Sequence, residues 1–443
     1  MTSSIRRGLV AFTILLVMVS SGHLQAADSP IDLQLAAQYF DEAHTLCTQD
    51  GGHLWGISLC GPMLFIEGAT RYVVANEAGS EGLLTPQGNV FTGTWPRQMM
   101  IANTAIDWSG KRWTMVLWPL PPNRAVRYTI LMHESFHRIQ KQLGLPLRDP
   151  LNPQMDTTEG RMWLRLEWRA LETALRSTGE AKKDALRDAL LFRAYRRFIF
   201  PPAAATERPL EMSEGLAEYT GVALSGRSNL ADHAADTLKN AEQADSLARS
   251  FAYASGPAYG ILLDQSGKSW RNHLRADDDF GTLVASTYSL EPPVAVKESA
   301  LLRAKLYDGP AIREAENHRT EDKEKIIIQW RHKLVEGPVL KIPLQNMKME
   351  FNPNKIVSLG EQGTVYPTIR IVDHWGILTV SDGALMSPQF GSITVSAPSD
   401  PVRRPLTGSG WQLELNPGWI VVADKRPGDF TVKPVSTDST KPH

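Results

Sequence analysis

Cysteine is scarce in this sequence, which has only Cys47 and Cys60 among its 443 residues. This scarcity excludes a lattice of disulfides, and it excludes a metal site built from three or four thiolates. Two cysteines in an oxidising compartment most simply form one disulfide that closes a short loop. The alternative is a pair of metal thiolates, which we consider the weaker interpretation because no other cysteine is present to complete such a site.

An excess of one charge sign is also missing. The chain has 47 lysine and arginine residues against 48 aspartate and glutamate residues, for a formal net charge of −1. Proteins that wrap nucleic acid or coat an anionic membrane need a basic surface. We therefore expect no nucleic-acid partner.

Long apolar runs are absent after the first few residues. No later segment approaches the roughly 18 uninterrupted apolar residues of a membrane-spanning helix, so we expect no stable membrane insertion. The early run, Leu9–Val19, follows two arginines and precedes the small residues Ala26 and Ala27. This pattern predicts a signal peptide over residues 1–27 and a periplasmic or extracellular location. The sequence does not indicate the oligomeric state.

The remaining composition is that of a globular protein, with 42% apolar and 21% charged residues. The length predicts two or three domains. Residues 28–122 have the pattern of one helix followed by strands, and residues 123–336 have helical periodicity. Short alternating runs in residues 337–434 predict a small antiparallel β domain, and residues 435–443 predict a disordered tail. The predicted fold class is therefore α+β.

Apolar periodicity gives the individual elements. The predicted helices are Leu33–Thr48, Met162–Leu175, Ala185–Phe200, Met212–Leu224 and Ala248–Leu263. The predicted N-terminal strands are Met63–Glu67, Arg71–Asn76, Thr104–Trp108 and Arg112–Trp118, with a hairpin turn at Ser109-Gly110. The predicted C-terminal strands are Leu340–Leu344, Thr368–Val372, Ile377–Val380, Ser392–Ala397, Trp411–Leu415 and Trp419–Ala423. Trp375, Trp411 and Trp419 alternate with aliphatic residues and are expected in a core, in preference to a sugar-binding row.

The residues that indicate chemistry are His133-Glu134-Ser135-Phe136-His137. On a helix, residues four apart project from the same side, so His133 and His137 can present two imidazoles to one metal ion. Glu134 lies beside them, where a carboxylate can take a proton from the attacking water. The plain alternative is a pair of core histidines without a metal, which we weigh less because the H-E-x-x-H pattern rarely occurs by chance.

A catalytic zinc ion needs three protein ligands, so the two histidines require a partner. A third histidine in the extended H-E-x-x-H-x-x-G-x-x-H pattern is excluded, because Gln140 and Leu143 occupy the glycine and histidine positions. The segment 213–219, Ser-Glu-Gly-Leu-Ala-Glu-Tyr, resembles the N-E-G-F-A-E-Y element of gluzincin aminopeptidases. This resemblance implies that Glu214 is the third zinc ligand and that Glu218 supports a ligand histidine.

The resemblance covers about residues 113–265 and implies a zincin-like catalytic domain, formed by the β-rich and helical parts and followed by a sandwich-like β domain. It also makes Tyr253 the candidate oxyanion donor, through similarity to a Y-x-x-G element, with Tyr259 in reserve. The sequence departs from the gluzincin pattern in two ways. The chain between the second histidine and Glu214 is long, which implies a helical insertion over 158–200, and the G-x-M-E-N element that binds a free amino terminus is missing.

Two other acids compete with Glu214 for the third ligand position. Glu211 lies one turn earlier, although acids in the first turn of a helix are common for dipole reasons. Glu167 lies on a partly buried helix, but Arg165 and Arg169 nearby favour a structural ion pair. The strand 113–118 has two interpretations as well, an edge strand that pairs with substrate or a buried hairpin strand.

The sequence thus predicts a zinc-dependent hydrolase that cleaves a peptide or protein substrate with Glu134 as general base. The alternative is a zinc-containing secreted or envelope protein without catalysis, which binds a partner through its C-terminal β domain.

Overall fold

The computed structural model describes residues 30–97, 99–351 and 355–435. Its fold is α+β, as predicted, with three mostly antiparallel sheets and a β-rich C-terminal part. The predicted signal peptide lies outside the described residues, and so does the predicted tail apart from Val435. Among the described residues, every helix is too short or too polar to span a bilayer.

The N-terminal part is one helix and a six-stranded sheet. Helix α1 (Leu33–Asp50) begins at Asp32, whose carboxylate accepts hydrogen bonds from two backbone N–H groups of the first turn. The strands are β1 (Met63–Glu67), β2 (Tyr72–Ala75), β3 (Thr85–Gln87), β4 (Val90–Thr94), β5 (Thr104–Trp108) and β6 (Lys111–Trp118). Their order is β3-β4-β2-β1-β6-β5, with β1 and β6 parallel and the other pairs antiparallel. Strands β3 and β4 were not predicted. The three residues of β3 are all exposed, and only Val90 is fully buried in β4, so neither strand shows apolar alternation.

Strands β5 and β6 form the predicted hairpin. Its two turn residues, Ser109 and Gly110, have φ angles of 46° and 71°, the positive values that a two-residue turn between twisted strands requires. Strand β6 lies between β1 and β5, so the interpretation of residues 113–118 as an edge strand is wrong. The edge strand is β5, and β6 is the buried hairpin strand of the alternative interpretation.

Cys47 and Cys60 form the predicted disulfide. It joins the last turns of α1 to the loop that leads into β1. Neither cysteine is therefore available as a thiolate, and the metal-thiolate alternative is wrong.

The central part is helical. Its helices are α2 (Arg124–Gln140), α3 (Thr158–Arg176), α4 (Gly179–Ile199), α5 (Ala203–Leu210), α6 (Leu216–Ala223), α7 (Leu230–Ala241), α8 (Phe251–Gln265), α9 (Phe280–Tyr288), α10 (Val296–Arg303) and α11 (Gly309–Arg331). Two π-helical turns are Glu211–Gly215 and His332–Glu336, and short 3-10 turns are Lys141–Leu143, Pro153–Asp156, Arg271–His273, Ala304–Tyr307 and, further on, Gly360–Gln362. The region 158–200 is helical, as predicted, and forms α3 and α4, which pack side by side.

The C-terminal part contains two sheets. The strands are β7 (Val339–Pro343), β8 (Lys348–Phe351), β9 (Val357–Ser358), β10 (Thr364–Tyr366), β11 (Ile369–Asp373), β12 (Gly376–Val380), β13 (Ala384–Met386), β14 (Ser392–Ser396), β15 (Leu406–Gly408), β16 (Trp411–Leu415), β17 (Trp419–Ala423) and β18 (Phe430–Pro434). The sheet orders are β17-β18-β7-β14-β13-β10-β9 and β15-β16-β12-β11-β8. Residues of both sheets form one hydrophobic core, which contains Trp375 and Trp411 and has Trp419 packed against it.

Candidate metal centre

Helix α2 carries the two histidines into the interior. It begins after Asn123, whose side chain accepts a hydrogen bond from the backbone N–H of Val126 and so caps the helix. His133, Glu134 and His137 are all buried. The two Nε2 atoms face each other across 3.1 Å. One turn of helix thus places two imidazoles next to one point, as the four-residue spacing predicts.

Glu214 reaches the same point from the π-helical turn that follows α5. Its Oε2 atom lies 3.5 Å from Nε2 of His133 and 3.6 Å from Nε2 of His137. Glu214 is buried as well. Single π-helical turns inside helices are frequent at functional sites, because the extra residue changes the direction in which side chains project.

The spacing of these three donor atoms suits a small divalent metal ion. Four donors at about 2.0–2.1 Å from a tetrahedral ion lie roughly 3.3 Å from one another. The three observed separations are 3.1, 3.5 and 3.6 Å. The buried group of His133, Glu134 and His137 on α2 likewise has ligand atoms within 4.8 Å of one another. The residues present therefore fit a metal ion.

Glu134 contributes an unpaired carboxylate oxygen to this cluster. Its Oε1 lies 3.9 Å from Nε2 of His133, whereas its buried Oε2 has no hydrogen-bond partner among the described residues. Burial raises the pKa of Glu134, although the two neighbouring imidazoles partly oppose this. A buried carboxylate oxygen without a donor is costly, and a water molecule beside a metal ion would satisfy it.

Each imidazole is held at its other nitrogen. Nδ1 of His133 lies 2.7 Å from Oε2 of Glu218, the supporting residue that the sequence resemblance implies. Nδ1 of His137 lies 2.7 Å from Oε1 of Gln140. Both contacts favour the tautomer with hydrogen on Nδ1, in which Nε2 is the atom that can bind a metal. Gln140 was not predicted to support a histidine, although its spacing of three residues from His137 puts it on the same helix face.

The first turn of α8 completes the cluster. The hydroxyl of Tyr253 donates a hydrogen bond of 2.5 Å to Oε2 of Glu214, and its ring stacks on His133 at a centroid distance of 5.7 Å. Arg249, four residues earlier, donates from Nη2 to Oε1 of Glu214 at 3.4 Å and from Nε to Asp149 at 2.6 Å. Arg249 was not predicted from the sequence. Its position four residues before the candidate Tyr253 was the signal that could have identified it.

The electrostatics of the cluster favour a cation. Burial would lower the pKa of His133, but hydrogen bonding to Glu214 and Glu218 more than offsets this effect and raises it to about 10. Burial would also raise the pKa of Glu214, but His133 and His137 hold it well below its usual range. Protons and metal ions compete for the same ring nitrogens, so surroundings that stabilise an imidazolium also stabilise a bound cation.

The rival acids pair with arginines, and among the described residues neither forms an ion pair with His133 or His137. Glu167 pairs with Arg193 at 3.2 Å and with Arg196, and it accepts a hydrogen bond of 2.7 Å from the reserve candidate Tyr259. Glu211 pairs with Arg193 as well, at 2.5 Å. All of these residues belong to one buried ion-pair network.

Glu167 forms structural ion pairs, as predicted, but not with the two arginines that were expected. Arg165 and Arg169 both pair with Glu242 instead. Residues two positions away on a helix point to the opposite side, so neither arginine faces the carboxylate of Glu167.

Two close helix contacts bring the parts of the site together. A Cβ atom on Gly256 of α8 would lie 2.2 Å from the carbonyl oxygen of Gly215, and one on Gly221 of α6 would lie 2.4 Å from the carbonyl oxygen of Thr129 on α2. Only glycine permits such approaches.

Comparison of the chain with protein families, with curated proteins and with solved structures finds no match.

Proposed function

We propose that this protein is a zinc-dependent peptidase in which His133, His137 and Glu214 hold the metal and Glu134 is the general base. The observation that carries the proposal is the buried, unpaired Oε2 of Glu134 beside three converging donor atoms. A structural metal site gains nothing from such an oxygen, whereas a hydrolase needs an acceptor for the proton of water. The gluzincin resemblance of the segment around Glu214 supports the same assignment.

Two nitrogen donors and one oxygen donor are a common ligand set of catalytic zinc. When bound, zinc polarises a carbonyl group and lowers the pKa of water. The same donor set also serves non-haem iron, so metal content belongs in the test. A buried arginine pairs with each of the rival acids, Glu167 and Glu211, which favours Glu214 as the third ligand.

The protein residues have separate tasks in this proposal. Glu134 accepts a proton from the attacking water and delivers it to the leaving amine, a role that its raised pKa suits. The hydroxyl of Tyr253, which burial keeps protonated, donates a hydrogen bond to the developing oxyanion. Glu218 and Gln140 keep both imidazoles in one tautomer and one orientation.

A peptide is the proposed substrate because an open sheet edge adjoins the helix with the histidines. Strand β5 is the last strand of its sheet and packs against α2. An extended peptide can add to such an edge through main-chain hydrogen bonds, which would orient the scissile carbonyl. Export to an oxidising compartment is proposed as well, and the Cys47–Cys60 disulfide supports it.

The test measures metal content and cleavage together. We expect about one zinc per chain by mass spectrometry and cleavage of a peptide library that a chelator abolishes and zinc restores. Glu134→Gln should keep the zinc and lower kcat/KM by a factor of about 10² to 10⁴, the usual contribution of general acid–base catalysis. Glu214→Ala should lose both zinc and cleavage.

Glu180→Gln is the matched control, because it makes the same chemical change at a side chain that is 71% exposed on α4. It should resemble the unaltered protein in both measurements. Full activity of Glu134→Gln would overturn the assignment of the base. One zinc per chain without cleavage of any peptide would favour the alternative function, a non-catalytic binding protein.

A further inference from the structure

Arg249 stands at the exposed side of the metal centre. The side chains of His133, His137 and Glu214 are 5–7% exposed, whereas that of Arg249 is 44% exposed. Its Nη2 nevertheless lies 3.4 Å from Oε1 of Glu214. Arg249 therefore bridges the buried cluster and the solvent from which a substrate arrives.

The guanidinium of Arg249 is oriented but not saturated. Nε donates to Oδ1 of Asp149 at 2.6 Å, and this carboxylate is itself 49% exposed. Nη1 makes no hydrogen bond or ion pair with any of the described residues. The outer edge formed by Nη1 and Nη2 thus keeps free N–H groups in the fork geometry that matches a carboxylate.

The charge of Arg249 is also incompletely balanced once a metal is bound. A bound metal ion would neutralise the charge of Glu214, so the half-exposed Asp149 would be the remaining anionic partner of Arg249. Arginine stays protonated, and its planar fork favours two-pronged binding of carboxylates over binding of neutral acceptors. A second anion can therefore be accommodated at this edge.

We propose that Arg249 is a specificity-determining residue that binds a carboxylate of the substrate next to the scissile bond. This inference rests on the proposed peptidase function. Arg249 contacts Oε1 of Glu214, and both histidines contact Oε2 of the same carboxylate, so a single carboxylate group separates the guanidinium from the histidines. One extended peptide residue spans about 3.3–3.6 Å. The bound carboxylate therefore belongs to a residue directly beside the scissile bond. It is either the side chain of an aspartate or glutamate or the free C-terminal carboxylate of a short peptide.

The experiment compares matched acid and amide substrates. Starting from a peptide that the protein cleaves, glutamate is exchanged for glutamine on either side of the scissile bond, and in a second series a C-terminal acid is exchanged for its amide. We expect the unaltered protein to prefer at least one acid over its amide by about tenfold in kcat/KM. Arg249→Met should bring this ratio close to one, and Arg249→Lys should retain part of it.

Arg148→Met is the matched control, since Arg148 is an exposed arginine next to Asp149 in the same loop and should leave the ratio unchanged. Zinc-loaded Glu134→Gln provides a second readout, because it should bind the preferred acid more tightly than the amide without turnover. The two series distinguish a side-chain carboxylate from a C-terminal one, and a preference in either supports the proposal.

Equal cleavage of all acid and amide pairs would overturn the role of Arg249 and leave the peptidase function intact. A preference that survives Arg249→Met would overturn it as well. A zinc-loaded protein that neither cleaves nor binds any peptide would remove the proposed function, and this inference with it.

Discussion

The two histidines of the candidate metal centre differ in the residue that contacts their Nδ1 atom. Nδ1 of His133 contacts the carboxylate of Glu218, whereas Nδ1 of His137 contacts the neutral amide of Gln140. A carboxylate increases the basicity of a ligand imidazole more than an amide does. Gln140 is further tied to Ser213, the neighbour of Glu214, by a hydrogen bond of 3.3 Å. It therefore connects two of the three proposed ligands.

Replacing Gln140 should weaken metal binding while the ligands themselves remain. Gln140→Leu removes the acceptor for Nδ1 of His137, so this ring can change its tautomer and rotate. We expect a loss of zinc affinity of about 10–100-fold, the usual effect of removing such a partner. Gln140→Glu should restore affinity because it again provides an acceptor. Competition with a chromophoric chelator at constant pH measures both variants.

Gln38→Leu is the control for this prediction, because Gln38 is exposed on α1, far along the chain from the site. Its zinc affinity should equal that of the unaltered protein. An unchanged affinity in Gln140→Leu would mean that packing alone orients His137.

Sequence reasoning works at the residue scale where one helix fixes the geometry. His133, Glu134 and His137 follow from a four-residue spacing, and their approach is a property of the helix itself. No comparable spacing rule predicts which residues of two different elements come into contact. Arg249 lies just before α8 and meets Glu214 because α8 packs on the π-helical turn. Its spacing from Tyr253 places it near that tyrosine, but it does not give the distance between Arg249 and Glu214.

At the scale of elements, the π-helical turn Glu211–Gly215 is the main departure from prediction. The apolar pattern predicted one continuous helix over Met212–Leu224, whereas the structure has this turn followed by α6. The two forms bury nearly the same apolar residues, so periodicity cannot separate them. The difference decides where Glu214 points, because one additional residue per turn rotates every later side chain.

The contact between this turn and α8 depends on two glycines. A methyl group on Gly256 would lie 2.2 Å from the carbonyl oxygen of Gly215, so Gly256→Ala must push the two segments apart. We expect a loss of stability of about 1–3 kcal/mol, as for other overpacked sites. Zinc affinity should fall as well, since α8 carries Tyr253 and the turn carries Glu214. Urea unfolding and metal titration measure the two effects.

Gly68→Ala is the matched control, because a methyl group there would meet no atom within 4 Å and the residue is exposed. Its stability and zinc affinity should stay within experimental error of the unaltered protein. If Gly256→Ala behaved in the same way, the close approach would not determine the geometry of the site.

At the scale of the whole molecule, buried ion pairs connect elements that are distant in the chain. Arg193 and Arg196 of α4 are 3% and 0% exposed. They pair with acids of α3, α5, the π-helical turn and the segment before α9, namely Glu167, Glu207, Glu211 and Asp279. The sequence shows the charges but not this pairing, since each acid had several arginines within reach along the chain. Removing one partner from such a network leaves an uncompensated charge.

This network predicts acid sensitivity of the fold. Burial alone would raise the pKa of Glu207, but Arg196 and Arg197 more than offset this effect and lower it from 4.5 to about 2. A carboxylate with a lowered pKa in the folded state contributes stability above its unfolded pKa and loses it as pH falls through the folded one. The free energy of unfolding should therefore decrease between pH 4.5 and 2, with about 3 kcal/mol as the upper limit for this residue.

Glu207→Gln isolates this contribution. It should destabilise the protein at pH 7 by about 3–5 kcal/mol, because Arg196 and Arg197 lose a buried partner. It should also reduce the acid-induced loss of stability, because the glutamine does not titrate. Urea unfolding at several pH values measures both effects, with the exposed Glu180→Gln as control. An unchanged pH dependence in Glu207→Gln would assign the acid sensitivity to other carboxylates of the network. Asp279 is one such carboxylate: burial alone would raise its pKa, but Arg193 and Arg197 more than offset this effect and lower it.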